Sequence, residues 1–423
     1  MTSMRERSLA VFPAGSNGEF NLPEDLAAVV DRGEGCRLWD TDGREFLDFS
    51  MGWGSVLVGH ARPEVVAAVQ AQAPKGSNFA YVNAQSLAVA EEIKRLSPAC
   101  DSVRFCASGT EATMYCQRLA RAFSGRPKIL KFEGAYHGAN EVGVTSLFPP
   151  NPPDFPIPDA TSAGIAELVR DSVLIAPYND LSTTEAIVDV HAADIGGIIM
   201  EPLQRCTPPL PGFLEGVRAL ATRHKIPLIF DEVVTGFRLA YGGAQEFYGV
   251  VPDLVAYGKA LGGGYPIGAF GGRGEIMDMV REDRIGGPDY VWMASTLGGN
   301  PISTAAAEAA LGVFRGDGVY PRLRTLGEYM RAGMRKVLAD RQMTAQVIGD
   351  GPLAQVVFSP DPVFNYRSTK KGDGKKGRAL MLDLFRKGIF LNPMGTKLYL
   401  SLAHDEIVID AMLDRFDDAL STL

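Results

Sequence analysis

Along the middle of this 423-residue chain, short apolar runs fall near residues 102–106, 128–132, 172–176, 196–200, 226–230 and 253–257. They lack the apolar–polar alternation of half-exposed strands and read as strands covered by helices on both faces. Between two of them, Phe213, Val217, Leu220 and Ala221 recur at helical spacing and predict one buried stripe. Strand, crossover and strand in repeated order predict a doubly wound α/β domain with a mostly parallel central sheet.

The flanks read differently. The stretch 37–49 reads as a hairpin turning at Asp42-Gly43. After Gly318, a long amphipathic helix is predicted over 322–341 with Leu323, Leu326, Met330 and Val337 inward. Strands near 353–358 and 389–391, a helix near 376–387 and a last helix from about Asp405 complete a smaller α+β unit. The expected division is therefore an N-terminal segment (1–60) packing with the small domain, a large domain (61–318) and a C-terminal small domain (319–423). Six prolines within 146–163 exclude regular structure there and predict an extended loop. The basic, glycine-rich run 367–378 predicts a solvated loop.

Composition narrows the chemistry. With 46% hydrophobic and 22% charged residues the balance is that of a globular protein, and a net charge of −8 argues against a nucleic-acid partner. Five cysteines without CxxC spacing read as reduced thiols, neither a disulfide frame nor a metal site. The N-terminus has no signal-like apolar run and no later stretch reaches the ~18 apolar residues of a membrane helix, so a cytoplasmic protein is expected.

The candidate chemistry lies just beyond the predicted strand ends, where open α/β sheets bind ligands. Lys259 stands between an apolar strand and the glycine-rich turn Gly262-Gly263-Gly264, a setting in which a desolvated lysine can act as a Schiff-base nucleophile. Upstream, the run Ile226 to Phe230 ends in Asp231 and Glu232. A carboxylate at a buried strand end needs a cationic partner, either a protonated pyridine nitrogen or a nearby Arg or Lys. Glu232 reads as a structural hydrogen-bonding group. Ser108-Gly109-Thr110 precedes an amphipathic helix, whose free N–H groups and dipole make an anion cradle. Gly134-Ala-Tyr136-His137-Gly138 ends another strand with an aromatic able to stack on a flat ring. No GxGxxG fingerprint follows the first strands, which argues against a nicotinamide enzyme.

From about residue 30 onward these motifs resemble the class III, fold-type I pyridoxal phosphate (PLP)-dependent aminotransferases, in the glutamate-1-semialdehyde aminomutase-like branch. Further carriers of the resemblance are Trp53-Gly54, Gly59-His60, Glu201-Pro202, Asp231 to Arg238 and Ser295 to Pro301. The resemblance implies that Lys259 holds the cofactor and moves the proton, that Asp231 pairs with the pyridine nitrogen, and that Tyr136 and Val233 cover its two faces. It further implies that Ser108, Gly109 and Thr110 bind the phosphate, that His137 and Glu201 contribute to the cofactor site, and that Trp53 lines the substrate side. Family members are homodimers, so Thr296 would complete the neighbouring subunit's phosphate site.

Two stretches depart from the branch. The aminomutase's N-terminal polar stretch contains an arginine, whereas 13–20 here has none and adds Glu19, which would disfavour a carboxylate substrate if it faces the pocket. After Glu201-Pro202, Leu-Gln-Arg-Cys206 replaces the branch's Gly-Asn ending, which puts Cys206 where an asparagine helps hold the ring hydroxyl. The expected activity is ping-pong transfer of an amino group from an amine or amino-acid donor to a keto or aldehyde acceptor through a Lys259 Schiff base. A 2,1-aminomutase, or an epimerase on the same fold, is the alternative. In that branch the region of 146–163 is a gate over the site, so a lid is expected here.

Overall fold

The computed structural model describes residues 3–15, 17–18, 22–391 and 395–423. The chain forms two compact units: Met1–Pro63 with Gly318–Val363 and Arg367–Leu423, and Glu64–Asp317 with Phe364–Tyr366.

In the first unit, strands β1 (Val30–Glu34), β2 (Arg37–Asp40) and β3 (Glu45–Asp48) form an antiparallel meander whose β2–β3 turn lies at Asp42-Gly43. Strand β13 (Ile389–Phe390) adds parallel to β3. A second sheet joins β11 (Gln346–Ile348), β12 (Leu353–Val357) and β14 (Lys397–Tyr399). The long helix runs Val319–Asp340 and buries Leu323, Leu326 and Met330, but Met334 and Leu338 continue the buried stripe where Val337 was expected. The buried face is wide enough to take in Leu338, with Val337 half-buried at its edge. The basic run is corrected as well: Tyr366–Lys370 and Gly374–Arg386 are helices. Asp373 caps the second at Lys376 N (2.9 Å), and burial of Leu380, Met381, Leu384 and Phe385 carries the basic turn into helix.

The second unit is built on a seven-stranded sheet in the order β4-β10-β9-β8-β7-β5-β6. Its strands are β4 (Ser102–Cys106), β5 (Lys128–Phe132), β6 (Val173–Ala176), β7 (Ile195–Met200), β8 (Leu228–Asp231), β9 (Leu254–Tyr257) and β10 (Gly268–Gly272). Strands β5 to β9 pair parallel, while β10 runs antiparallel to both β9 and β4. Strands β4 to β9 therefore share one direction and end on one edge. The sequence pattern missed β10 because Gly-Ala-Phe-Gly-Gly has weak strand propensity. Glycine is required there by close packing, since a Cβ at Gly268 would stand 2.2 Å from Ser108 O.

The helix Gly109–Ser124 lies on this sheet. It starts at Ser108, whose Oγ accepts the Glu111 N–H (3.2 Å), and ends at Gly125 in the left-handed region, φ +67°. Its buried face (Ala112, Cys116, Leu119, Ala120) packs in one cluster with Ile129, Ile199, Ile229, Ala256 and Phe270. Each large side chain of that cluster contributes roughly 1.5–3 kcal/mol on burial. A Cβ at Gly197 would approach Ala120 Cβ to 2.8 Å, so glycine in β7 lets the helix seat.

Candidate active site

The shared direction of β4, β5, β7, β8 and β9 brings five loops to one edge of the sheet, and every candidate of the second unit lies on these loops or on 273–300. Their closest approach is marked by glycines. A Cβ at Gly109 would lie 2.7 Å from Val233 Cγ1, and one at Gly258 would lie 3.4 Å from the same carbon and 3.5 Å from Gly109 Cα. The helix N-terminus, the segment after Asp231 and the residue before Lys259 thus meet at one point. Lys259 itself is half-buried and opens a short 3-10 turn with φ +44°, a left-handed conformation unusual for a side-chain-bearing residue.

Asp231 closes β8 and is 5% exposed. Its Oδ1 accepts the Val233 N–H (3.0 Å) and its Oδ2 lies 2.8 Å from His137 Nδ1. The partner within the chain is therefore an imidazole, where an Arg or Lys was considered. His137 is fully buried, and its Nε2 makes no hydrogen bond among the described residues. An ionised Asp231 fixes the proton on Nδ1. The neighbouring Glu232 is structural: Thr235 Oγ1, Ala244 N, Gln245 N and Gln245 Nε2 donate to it at 3.1, 2.5, 3.3 and 3.0 Å. Burial raises its pKa and these donors oppose the rise.

The loop after β5 carries Tyr136 and His137 and is held by a side chain that sequence reasoning passed over. Lys131 is fully buried, and its Nζ donates to the carbonyls of Ala135, Gly143 and Thr145 at 3.0, 2.8 and 2.7 Å. Burial lowers its pKa to about 7, opposed by the charges of Glu201 and Asp231. The only signal in sequence was a lysine inside an apolar run. Tyr136 is half-buried and its hydroxyl pKa is raised, first by burial. Its backbone N–H donates to Glu201 Oε1 (2.9 Å), and Glu201 Oε2 accepts the Arg205 N–H (3.1 Å). Glu201 thus ties the loops after β5 and β7 together.

In the anion cradle, Ser108 Oγ and the Ala107 N–H both donate to Glu111 Oε2 (3.3 and 2.7 Å), and Ser295 Oγ donates to Glu111 Oε1 (3.3 Å). Thr110 Oγ1 accepts the Ala139 N–H (3.2 Å), and Thr110 packs against Gly138, where a Cβ would meet its Cα at 2.6 Å. The helix macrodipole adds positive potential at this end. Thr296 is exposed and its carbonyl accepts from Asn78 Nδ2 (3.1 Å). Cys206 is fully buried, one residue beyond Arg205.

Trp53 belongs to the first unit, on a turn in which Met51, Gly52, Trp53 and Gly54 all have positive φ (48°, 57°, 58° and 79°). Buried Asp48 anchors that turn by accepting the Ser50 and Met51 N–H groups (2.7 and 2.8 Å) and contacts His60 Nε2 at 2.7 Å. Glu19 lies outside the described residues. Residues 146–163 contain no helix or strand; Ser146 bonds Asp159 in both directions (2.8 and 2.8 Å), and Tyr366 Oη donates to Pro149 O (3.0 Å).

Among the described residues no His/Cys/Asp/Glu group has a metal-binding arrangement, and no helix is long and apolar enough to cross a membrane. All five cysteines are buried and none is in a disulfide.

Comparison with known proteins places these features in context. Residues 21–422 match the family model for aminotransferase class-III. The chain is 36% identical to the glutamate-1-semialdehyde 2,1-aminomutase of Roseiflexus castenholzii, over 100% of this chain and 98% of that protein. Its fold matches an omega-transaminase from Sphaerobacter thermophilus with a TM-score of 0.93 and 33% identity, covering 99% and 96% of the two chains. A β-phenylalanine aminotransferase from Variovorax paradoxus matches with a TM-score of 0.85 and 29% identity, covering 99% and 93%.

Proposed function

Because the chain belongs to the class-III aminotransferases, whose fold-type I architecture it has, we propose that it is a PLP-dependent transaminase acting on a small amine or amino acid and a keto or aldehyde acceptor. The observation that carries this reading is the convergence of Gly109, Val233 and Gly258, which sets Lys259 beside both the anion cradle and the segment following Asp231.

The residues fit the cofactor. A helix N-terminus with adjacent hydroxyls suits its phosphate, a buried carboxylate suits its ring nitrogen, and Val233 and Tyr136 supply apolar surface for its ring. When bound, PLP supplies an aldehyde and a ring that accepts an electron pair from the substrate carbon. Lys259 is assigned as the residue that would hold the cofactor through its aldehyde. Its Nζ would be the group that moves the proton at the donor carbon. Asp231, oriented by His137 and the Val233 N–H, would keep the ring nitrogen protonated. Lys131 and Glu201 hold the Tyr136 loop in place while this happens. Thr296, exposed on its own chain, is assigned to the neighbouring site of a homodimer.

Transamination is supported by the match to the Sphaerobacter enzyme and by the departure from the aminomutase branch at 203–206. The 36% identical aminomutase supports the second reading, an internal 2,1-amino shift on the same groups. The test is to supply PLP and a panel of amine donors with a keto acid, and to follow keto-product release. Product that requires the separate acceptor supports transamination. Isomerisation of an amino aldehyde without any acceptor replaces it with the mutase.

A further inference from the structure

Residues 146–163 form no helix or strand, yet they are tied down from foot to tip. At the foot, Ser146 is buried and takes φ +51°, a left-handed conformation unusual for a residue with a side chain. Its N–H donates to Asp159 O (2.8 Å), its Oγ accepts the Asp159 N–H (2.8 Å), and its carbonyl accepts the Gly134 N–H (2.9 Å). The Leu147 N–H donates to Thr161 Oγ1 (3.0 Å). Further along, the Ile175 N–H of β6 donates to Pro156 O (3.0 Å), and Phe155 packs against the core cluster of the sheet. At the tip, Tyr366 Oη donates to Pro149 O (3.0 Å), and the Tyr366 ring centre lies 6.5 Å from that of Phe148.

Tyr366, which belongs to the second unit, is itself fixed. A Cβ at Gly134 (φ +82°) would stand 2.8 Å from Tyr366 Cβ, so glycine there seats the tyrosine, and Asn179 Nδ2 holds Phe364 O (2.8 Å). Burial first, then the charges of Glu133 and Asp159, push the phenol pKa up to about 12, so the hydroxyl keeps the proton it donates. Pro149, Pro150, Pro152 and Pro153 restrict the backbone of the tip, so one bond at Pro149 orders several residues. The tip also reaches the site. The Arg205 guanidinium carbon lies 6.0 Å from the Tyr136 ring centre and 5.8 Å from that of Phe148. One side chain is thus flanked by a ring of the cofactor loop and by a ring of the proline-rich tip, and the second of these is 41% exposed.

We propose that Tyr366 is a positioning residue that makes the proline-rich tip a fixed wall, with Phe148 presented to the apolar part of the amine donor. This rests on the amino-group-transfer reading above. A ring already held in place loses little freedom when a donor arrives, so the tie lowers the cost of binding. It acts on the bound substituent and not on the proton at the donor carbon, so its effect falls on KM and not on kcat. The lid expected over 146–163 would instead need the Tyr366 bond to break in each turnover.

The test pairs a mobility probe with donor kinetics. The native cysteines are buried, so a nitroxide on Asn151→Cys reports the tip. In the PLP-loaded protein it is expected to be immobile, unchanged on adding donor, and mobile once Tyr366→Phe deletes the hydroxyl. With a keto-acid acceptor, Tyr366→Phe should raise KM for benzylamine and hexylamine about three- to tenfold, the net effect of one hydrogen bond, while kcat and the KM for ethylamine move by less than about twofold. Phe148→Ala should raise the same KM values, and adding Tyr366→Phe to it should bring no further rise. A label already mobile in the wild type, or one that stiffens when donor binds, overturns the fixed wall. A Tyr366→Phe effect undiminished in the Phe148→Ala background overturns the role of Phe148. If no donor is transaminated, the reaction reading fails, while the label still decides whether Tyr366 holds the tip.

Discussion

His137 Nδ1 stands 2.8 Å from Asp231 Oδ2, with both side chains buried at the carboxyl edge of the sheet. The imidazole fixes one carboxylate oxygen and the Val233 N–H fixes the other. Asp231→Asn keeps the shape and loses the charge, and is expected to lower turnover by about 10²–10⁴-fold, the range for a group that governs a proton. His137→Phe leaves the charge and loses the tether, and should cost about tenfold while shifting the visible absorbance of bound cofactor with pH. Single-turnover kinetics on both variants check this. An active Asp231→Asn enzyme would remove Asp231 from the chemistry.

Lys131 gives a prediction in pH. Its folded pKa is lowered to about 7 by burial, against ~10.4 for a free lysine. Between those values the unfolded chain binds the extra proton, so this group's contribution to stability rises with pH through that window, by up to about 1.4 kcal/mol per pH unit. Urea melts of wild type and Lys131→Met at pH 6, 7.5 and 9 should therefore differ by an amount that moves in favour of the wild type as pH rises. A pH-independent difference would mean that Lys131 remains an ammonium throughout.

The Gly109–Val233 contact can be tested by a pair of substitutions. Gly109→Ala brings a methyl within 2.7 Å of Val233 Cγ1 and should weaken PLP binding by about tenfold, equivalent to ~1.4 kcal/mol of overpacking. Adding Val233→Ala makes room, so the double variant should bind PLP better than Gly109→Ala alone. Fluorimetric titration with PLP measures both. Additive losses would mean that the two residues do not share a wall.

Asp48 is predicted to govern the shape of the turn that carries Trp53. Asp48→Ala leaves the Ser50 and Met51 N–H groups without their acceptor, and loss of two buried hydrogen bonds should cost about 2–4 kcal/mol. Denaturant melts read the stability. Tryptophan emission, resolved with a Trp53→Phe control, reads the local change. Stability within ~0.5 kcal/mol of wild type would show that the left-handed turn stands without this anchor.

Much of this was legible in the chain, for physical reasons that can be located. Strands β4 to β9 announced themselves because each is a compact apolar run, and the direction they share put residues 108, 136, 201, 231 and 259 on one edge. Strand β10 was not legible because its glycines are set by the approach of Ser108 and Leu254, which only the folded chain reveals. The His137 contact to Asp231 was not legible, because a histidine 94 positions away leaves no local trace of the pairing. Lys131 was hidden for the opposite reason, since its acceptors are backbone carbonyls, which any sequence supplies.

Strand β10, which runs against its neighbours in the seven-stranded sheet, has a consequence for how this molecule can vary. Residues 258–267 leave the sheet at Tyr257 and re-enter it at Gly268, next to the strand they left, so Lys259 sits in a closed loop stitched at both margins. An extra residue there would push Gly268 out of register with Cys106 and loosen the footing of Lys259 in the same stroke. Length changes should be tolerated in exposed connections remote from this stitch, whereas this loop should keep its ten residues even where their identities drift.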